Sequence, residues 1–336
     1  ALVADELQPV TITNADENIG SEVTNVPLAP NRHTTLVGDV RNVGMEEVTF
    51  TAGIDEDWGD GGTIHFMPHN INEGDVTIDG GQHYITGDDT ETQNTITITG
   101  DAKVYLENVN INSTDGNAIS ITGGNPTIHV RGKNTAISSN IDGPYGSAGI
   151  YVAQGSSVTI TGNDRNDVLW AQTSTNGAGI GGHGRSFFSE APCGNITIEN
   201  VTVYAYACIA DDEVFPGIGS YLASGTIKIK DATVHAYGST DVAGGQSTPP
   251  AIGARNVPVI IIEKSDIYAH RGKRYNNNNS ADYIGRFGTS IYSGTEEIQC
   301  GTGGSITNTT VYCYTGSSDT VDKTYWFDAS GSRTEQ

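Results

Sequence analysis

The residues of this chain best suited to chemistry are carboxylates, a short run of bases, and rings that recur at fixed spacing. Paired carboxylates ~5 to 9 Å apart can hydrolyse a glycosidic bond, one as general acid and the other as base or nucleophile. Asp211, Asp212 and Glu213, with Glu190 and Asp241 in other loops, are the candidates. Elimination on a polyuronate needs a Lys, Arg, His or Tyr base and a cation against the substrate carboxylate. The segment "HRGKRY" supplies His270, Arg271, Lys273 and Arg274, with Arg286 further on. Asp55, Asp57 and Asp60 offer hard oxygen ligands in a glycine-containing loop, the donor type that calcium takes, but without EF-hand spacing. Calcium there is the one cofactor the sequence suggests; otherwise none is expected. In a chain with 40 acidic side chains such clusters arise by chance, so the sequence alone selects none of them. No GxSxG, Walker A, HExxH or dinucleotide fingerprint stands in a supporting context.

A net charge of −23 argues against nucleic acid and anionic membranes as partners. No stretch of 18 apolar residues is present, so no membrane insertion of this chain is expected. The chain opens at Ala1 with neither an initiator Met nor a signal peptide, as a processed or truncated exported protein would, which places it outside the cell or at its surface. Four cysteines fall as local pairs, Cys193 with Cys208 and Cys300 with Cys313, none in a CxxC spacing. Local disulfides and buried thiols are both open. Cys313 takes a core position in the alignment below.

The elements that must position these residues follow from a repeat. "NAISI", "AGIYV", "AGIGG", "PGIGS", "PAIGA" and "DYIGR" place Ile119, Ile150, Ile180, Ile218, Ile252 and Ile284 at spacings of 31, 30, 38, 34 and 32. Such a period means a solenoid or a propeller. Two further strand-like pieces recur in each period, as in "GNITIENVTVYAY" and "GTIKIKDATVHAY". From Ile198, Ile229, Ile262 and Ile306 to the next core aliphatic, Val203, Val234, Ile267 and Val311, the offset is five residues each time. Three short strands per coil of about 30 to 38 residues predict an all-β, right-handed parallel β-helix, since propeller blades need four antiparallel strands. Equivalent residues then form columns ~4.8 Å apart. Glu199, Lys230 and Glu263 make one such column, expected to be an exposed charge ladder.

Aligning the third strands gives "VLWAQ", "VTVYAY", "ATVHAY", "SDIYAH" and "TTVYCY". One outward column reads Trp170, Tyr204, His235, Tyr268, Tyr312; its neighbour reads Gln172, Tyr206, Tyr237, His270, Tyr314. Nine of ten positions are aromatic or imidazole in a chain that is 7% Phe, Trp and Tyr, which chance does not produce. The rings can stack on one another under covering loops, or form a flat strip matching sugar rings.

Residues 1–62 lack the coil period; the β-helix is expected over 63–336. Within the first segment, "NVPLAPNRHTTLVGDV" and "VTFTAGIDEDWGDGG" resemble the C-terminal segment of the fimbrillin-like proteins of Bacteroidetes. That resemblance implies a β-sandwich family of pilus subunits and surface lipoproteins, present here as a truncated domain end or as an N-terminal cap. The repeats resemble β-helix sequences of gut-bacterial surface proteins and carbohydrate-active enzymes, a likeness of fold rather than activity. "GGHG", 181–184, resembles the Gly-His-Gly of polygalacturonase-type glycosidases, but the bracketing Asn-Thr-Asp, Asp-Asp and Arg-Ile-Lys are missing, and His183 aligns with Tyr221.

The sequence therefore predicts a non-catalytic cell-surface adhesin that binds a polysaccharide or host glycan along the nine rings. The alternatives are a polysaccharide lyase or glycoside hydrolase on the same fold, or a structural or pilus-associated subunit whose partner is a surface protein.

Overall fold

Alternating Val/Ile and polar residues build strands whose apolar side faces one shared interior. The computed structural model describes residues 69–139, 146–184, 192–207, 214–239, 248–272, 281–287, 297–316 and 318–336, and the backbone of 6–14, 19–28, 33–37, 51–55, 247 and 288–289. The chain divides into two units, Ala1–His65 and Phe66–Gln336. In the first, Glu6–Asn14 pairs antiparallel with Ile19–Leu28, and His33–Val37 with Thr51–Asp55.

The second unit is a right-handed parallel β-helix. An eight-stranded sheet runs from Val76–Ile78 to Ile284–Gly285, and a nine-stranded sheet from His69–Asn70 to Ser305–Thr307. A third sheet begins at Asn110–Ser113, carries the aligned third strands, and ends in an antiparallel hairpin, Lys323–Phe327 and Arg333–Glu335. Coil length is not uniform. Val76 pairs with Ile96 and Ile96 with Ile119, spacings of 20 and 23 residues, so the N-terminal coils are shorter than the 30 to 38 of the later ones. The first of these also lacks a third-sheet strand among the described residues, making only an isolated bridge from Thr92 to Ile111, because that sheet starts at Asn110.

The columns read from sequence are the core. Ile196, Ile198, Ile227, Ile229, Ile260, Ile262 and Ile306 from the second sheet, and Val203, Val234, Ile267 and Val311 from the third, are buried. Burying one such side chain stabilises the fold by roughly 1.5 to 3 kcal/mol. The hairpin closes the C-terminal end, with Tyr325 opposite Val311 and both Tyr325 and Phe327 in the core. Cys300 and Cys313 are free thiols. Burial raises both, Cys300 to about 11, so they pack as small apolar groups. Cys208 lies outside the described residues.

The constant five-residue offset has a backbone cause. Asn108, Gly132, Asn200, Asp231, Lys264 and Asn308, each between a second-sheet and a third-sheet strand, all have φ between 47° and 64°. One left-handed residue turns the chain between the faces, and Asn, Asp and Gly tolerate that region best. Arg165 laces the turns of two later coils: it bonds the carbonyls of Asp231 and Lys264 and pairs with Asp266 at 2.8 Å.

The first sheet imposes a steric rule. Gly181, Gly219 and Gly253 have φ of 139°, 125° and 144°, and a Cβ on each would lie 1.9–2.1 Å from the carbonyl oxygen of the equivalent glycine in the next coil. We expect Gly219→Ala to lower stability by on the order of 3 kcal/mol or more, read as a fall in urea midpoint. Gly74→Ala, where nothing lies within 4 Å, should stay within about 0.5 kcal/mol of wild type. Equal effects of the two substitutions would refute a steric role for the glycine column.

Candidate functional site

Third-sheet strands pair in register, so Trp170 faces Tyr204, then His235, Tyr268 and Tyr312. Gln172 faces Tyr206, then Tyr237, His270 and Tyr314. Buried inward residues between them, such as Leu169, Ala171, Val203 and Ala205, fix which way the rings point. In the first column the ring centroids are 5.2, 4.4, 4.2 and 4.7 Å apart. In the second, from Tyr206 to Tyr314, they are 4.1, 4.0 and 4.1 Å apart. Interplanar angles stay at 21° or less throughout. Trp170 joins the columns at one end, stacking on Tyr206 at 4.6 Å as well as on Tyr204. Its Nε1 donates to Gln172 Oε1 at 2.9 Å, so the one position without a ring is tied to the ladder by a hydrogen bond.

This geometry changes what the ladder can do. Near-parallel rings at the inter-strand distance lie across the solenoid axis, each covering its neighbours' faces. Only edges, hydroxyls and ring nitrogens then point outward along the middle of the ladder. Of the two arrangements the sequence left open, the rings take the self-stacked one rather than a strip that offers its faces to sugar rings. Each stacked pair adds about 0.5 to 1.5 kcal/mol beyond area burial, so the ladder stabilises the sheet that carries it.

Electrostatically the ladder is neutral. Burial holds the imidazoles of His235 and His270 down at about 4. Burial raises Tyr206 most, helped by its hydrogen bond with Tyr237, and raises Tyr237, Tyr268 and Tyr314 as well. Those four hydroxyls therefore stay protonated and the two imidazoles uncharged at neutral pH. His270 is 6% exposed and Tyr314 9%, while the other seven rings are half-buried.

Beside the second column lies a groove of about 330 Å³, lined by Gln172, Thr173, Ser174, Tyr206, Ala207, Tyr237, Gly238, His270, Gly316 and Asp319. Ser174 and Asp319 are exposed. His270 Nδ1 is buried with no hydrogen-bond partner among the described residues. Sequence alignment missed Asp319, Ser174 and Gly316 as groove residues because they lie outside the repeat positions.

A second ring column was also missed. On the second sheet Tyr84 stacks on Tyr105 at 4.6 Å, and Tyr105 lies 5.1 Å from His129. The Arg131 guanidinium sits over Tyr105 at 4.8 Å. In register this column continues through Thr161 into Glu199, Lys230 and Glu263, so the charge ladder extends an aromatic one. Comparing "QHYIT", "KVYLE" and "TIHVR" would have found it.

The other candidates fare differently. Arg271 is engaged: its guanidinium lies 4.1 Å from the Tyr283 ring centroid, Nε donates to Thr315 Oγ1, and a terminal nitrogen to the Ala281 carbonyl. Arg286 is exposed, and its backbone N–H donates to Asp282. His183 packs 4.5 Å from Tyr151, in the position Tyr221 takes one coil on. Glu190, Asp211, Asp212, Glu213, Asp241, Lys273 and Arg274 lie outside the described residues, as do Asp57, Asp60 and the side chain of Asp55. Among the described residues no group of three or more His, Cys, Asp and Glu could hold a metal ion. No family model, curated protein or solved structure matches the chain, so the fimbrillin-like resemblance finds no support there.

The two ladder histidines predict a pH dependence. In the unfolded chain a histidine takes its proton near pH 6.5. In the folded ladder it resists to about 4. Between those values the unfolded state binds more protons, so stability is full above about pH 6.5 and falls as pH drops toward 4, by up to roughly 3 kcal/mol per histidine. Urea midpoints measured at neutral pH and near pH 4.5 should fall less in the His235→Phe, His270→Phe double variant than in wild type. An unchanged difference would show that other groups carry the acid sensitivity.

Proposed function

We propose that the protein is a non-catalytic glycan-binding β-helix that works outside the cell or at its surface. The observation that carries this reading is the groove beside the ladder, where a neutral aromatic wall meets the polar groups of Gln172, Ser174, Tyr237, His270 and Asp319. Its volume of about 330 Å³ is at the small end for a ligand pocket. Recognition works through ring edges and hydroxyls rather than ring faces: protonated Tyr hydroxyls donate, and the Asp319 carboxylate accepts. Such a lining matches the hydroxyl rim of a saccharide. Asp319, in a chain of net charge −23, favours neutral over uronic-acid glycans.

The acidic, Gly-, Asn- and Thr-rich solenoid fits an exported adhesin. The resemblance of residues 25–62 to fimbrillin-like proteins extends that reading to a bacterial surface of the Bacteroidetes type, with a host glycan or a polysaccharide as the partner.

The rival is a polysaccharide lyase or hydrolase. Arg271 weighs against a lyase, because the guanidinium it would turn to a substrate carboxylate is held by Tyr283, Thr315 and Ala281.

On a glycan array the protein should bind neutral, hydroxyl-rich glycans. Asp319→Ala and Gln172→Ala, which leave every ladder ring in place, should each weaken that binding about tenfold. Undiminished binding in both variants would remove the groove as the site. Release of reducing ends, or of unsaturated uronides, from a polysaccharide panel would replace the binding reading with an enzymatic one.

A further inference from the structure

Far from the groove, at the N-terminal end of the second sheet, two imidazoles face each other. His69 lies on the two-residue strand His69–Asn70, which among the described residues pairs only with Ile85 and Thr86 of the next second-sheet strand, Gly81–Thr86. His83 lies on that next strand, and the two ring centroids are 5.6 Å apart. His69 Nε2 and His83 Nδ1 are 3.4 Å apart. This is longer than the about 2.7 to 3.2 Å of a good hydrogen bond. The other nitrogen of His83, Nε2, is 2.7 Å from the Gly80 carbonyl oxygen and must donate its proton there. A carbonyl accepts only, so His83 Nδ1 carries a lone pair directed at His69.

That is the arrangement of a metal-binding histidine whose far nitrogen is held by a carbonyl. Two imidazole nitrogens on a tetrahedral zinc ion, each at about 2.0 to 2.1 Å, are about 3.3 Å apart. A square-planar copper(II) ion at about 2.0 Å would need them near 2.8 Å. The observed 3.4 Å fits the first. His69 is exposed and His83 half-buried, so an ion can reach them, and the net charge of −23 draws cations to the surface.

We propose that His69 Nε2 and His83 Nδ1 form a two-histidine site for zinc, with water in the remaining positions. On binding, the ion replaces the proton between the two rings. It then links the first described strand of the second sheet to the strand of the next coil. That strand is held by a short ladder, so the ion's main structural effect is to pin the N-terminal coil.

Isothermal titration with Zn²⁺ should give one site per chain. Both His69→Gln and His83→Gln should weaken binding at least tenfold while circular dichroism stays unchanged. Zinc should raise the melting temperature of wild type and not of either variant. Co²⁺ should give the visible bands of a tetrahedral nitrogen and oxygen site, without the thiolate charge-transfer band that cysteine ligation would add. Absence of binding, equal binding in both variants, or a thiolate band would each overturn the assignment.

Discussion

Every feature of the β-helix depends on one constraint: each coil must lie in register on the next, at the spacing of hydrogen-bonded strands. Whatever occupies a position in one coil therefore meets its equivalents above and below. Apolar residues make continuous core columns, as Ile196, Ile227 and Ile260 do. The same rule forbids a Cβ at Gly181, Gly219 and Gly253, because each would meet the carbonyl oxygen of the next coil. Tolerance for insertions is thereby confined to the loops between strands, where spacing varies from 30 to 38 residues in the later coils.

The aromatic ladder is the same constraint acting on outward residues. Rings at the inter-strand distance have two choices, to stack or to splay, and the small interplanar angles show stacking. Burial keeps His235 and His270 uncharged, so they behave as flat neutral rings between tyrosines. The faces thus serve the fold, while hydroxyls, ring edges and the groove beside Tyr206, Tyr237 and His270 are what remain for a ligand. Structure and recognition draw on different parts of the same side chains.

The ladder members were legible because their spacing follows the repeat. The groove was not, because Ser174, Gly316 and Asp319 come from connections whose course no repeat fixes. Arg271 shows the converse. In sequence it belongs to a basic cluster suited to an anionic substrate, and in the fold its guanidinium is absorbed by Tyr283, Thr315 and Ala281. The His69 and His83 pair is similar in kind, since the histidines are 14 positions apart on a coil that returns one strand beside the other.

By itself the sequence determined the solenoid, its three faces in the later coils, the core columns and the two ring columns. Each of these is a periodic property, and in-register stacking turns period directly into position. Only the tertiary structure decided how the rings are oriented, which outward groups meet across connections, and which coils are short. Those depend on rotamers, loop paths and the left-handed turn residues, whose effects appear once distant segments are packed together.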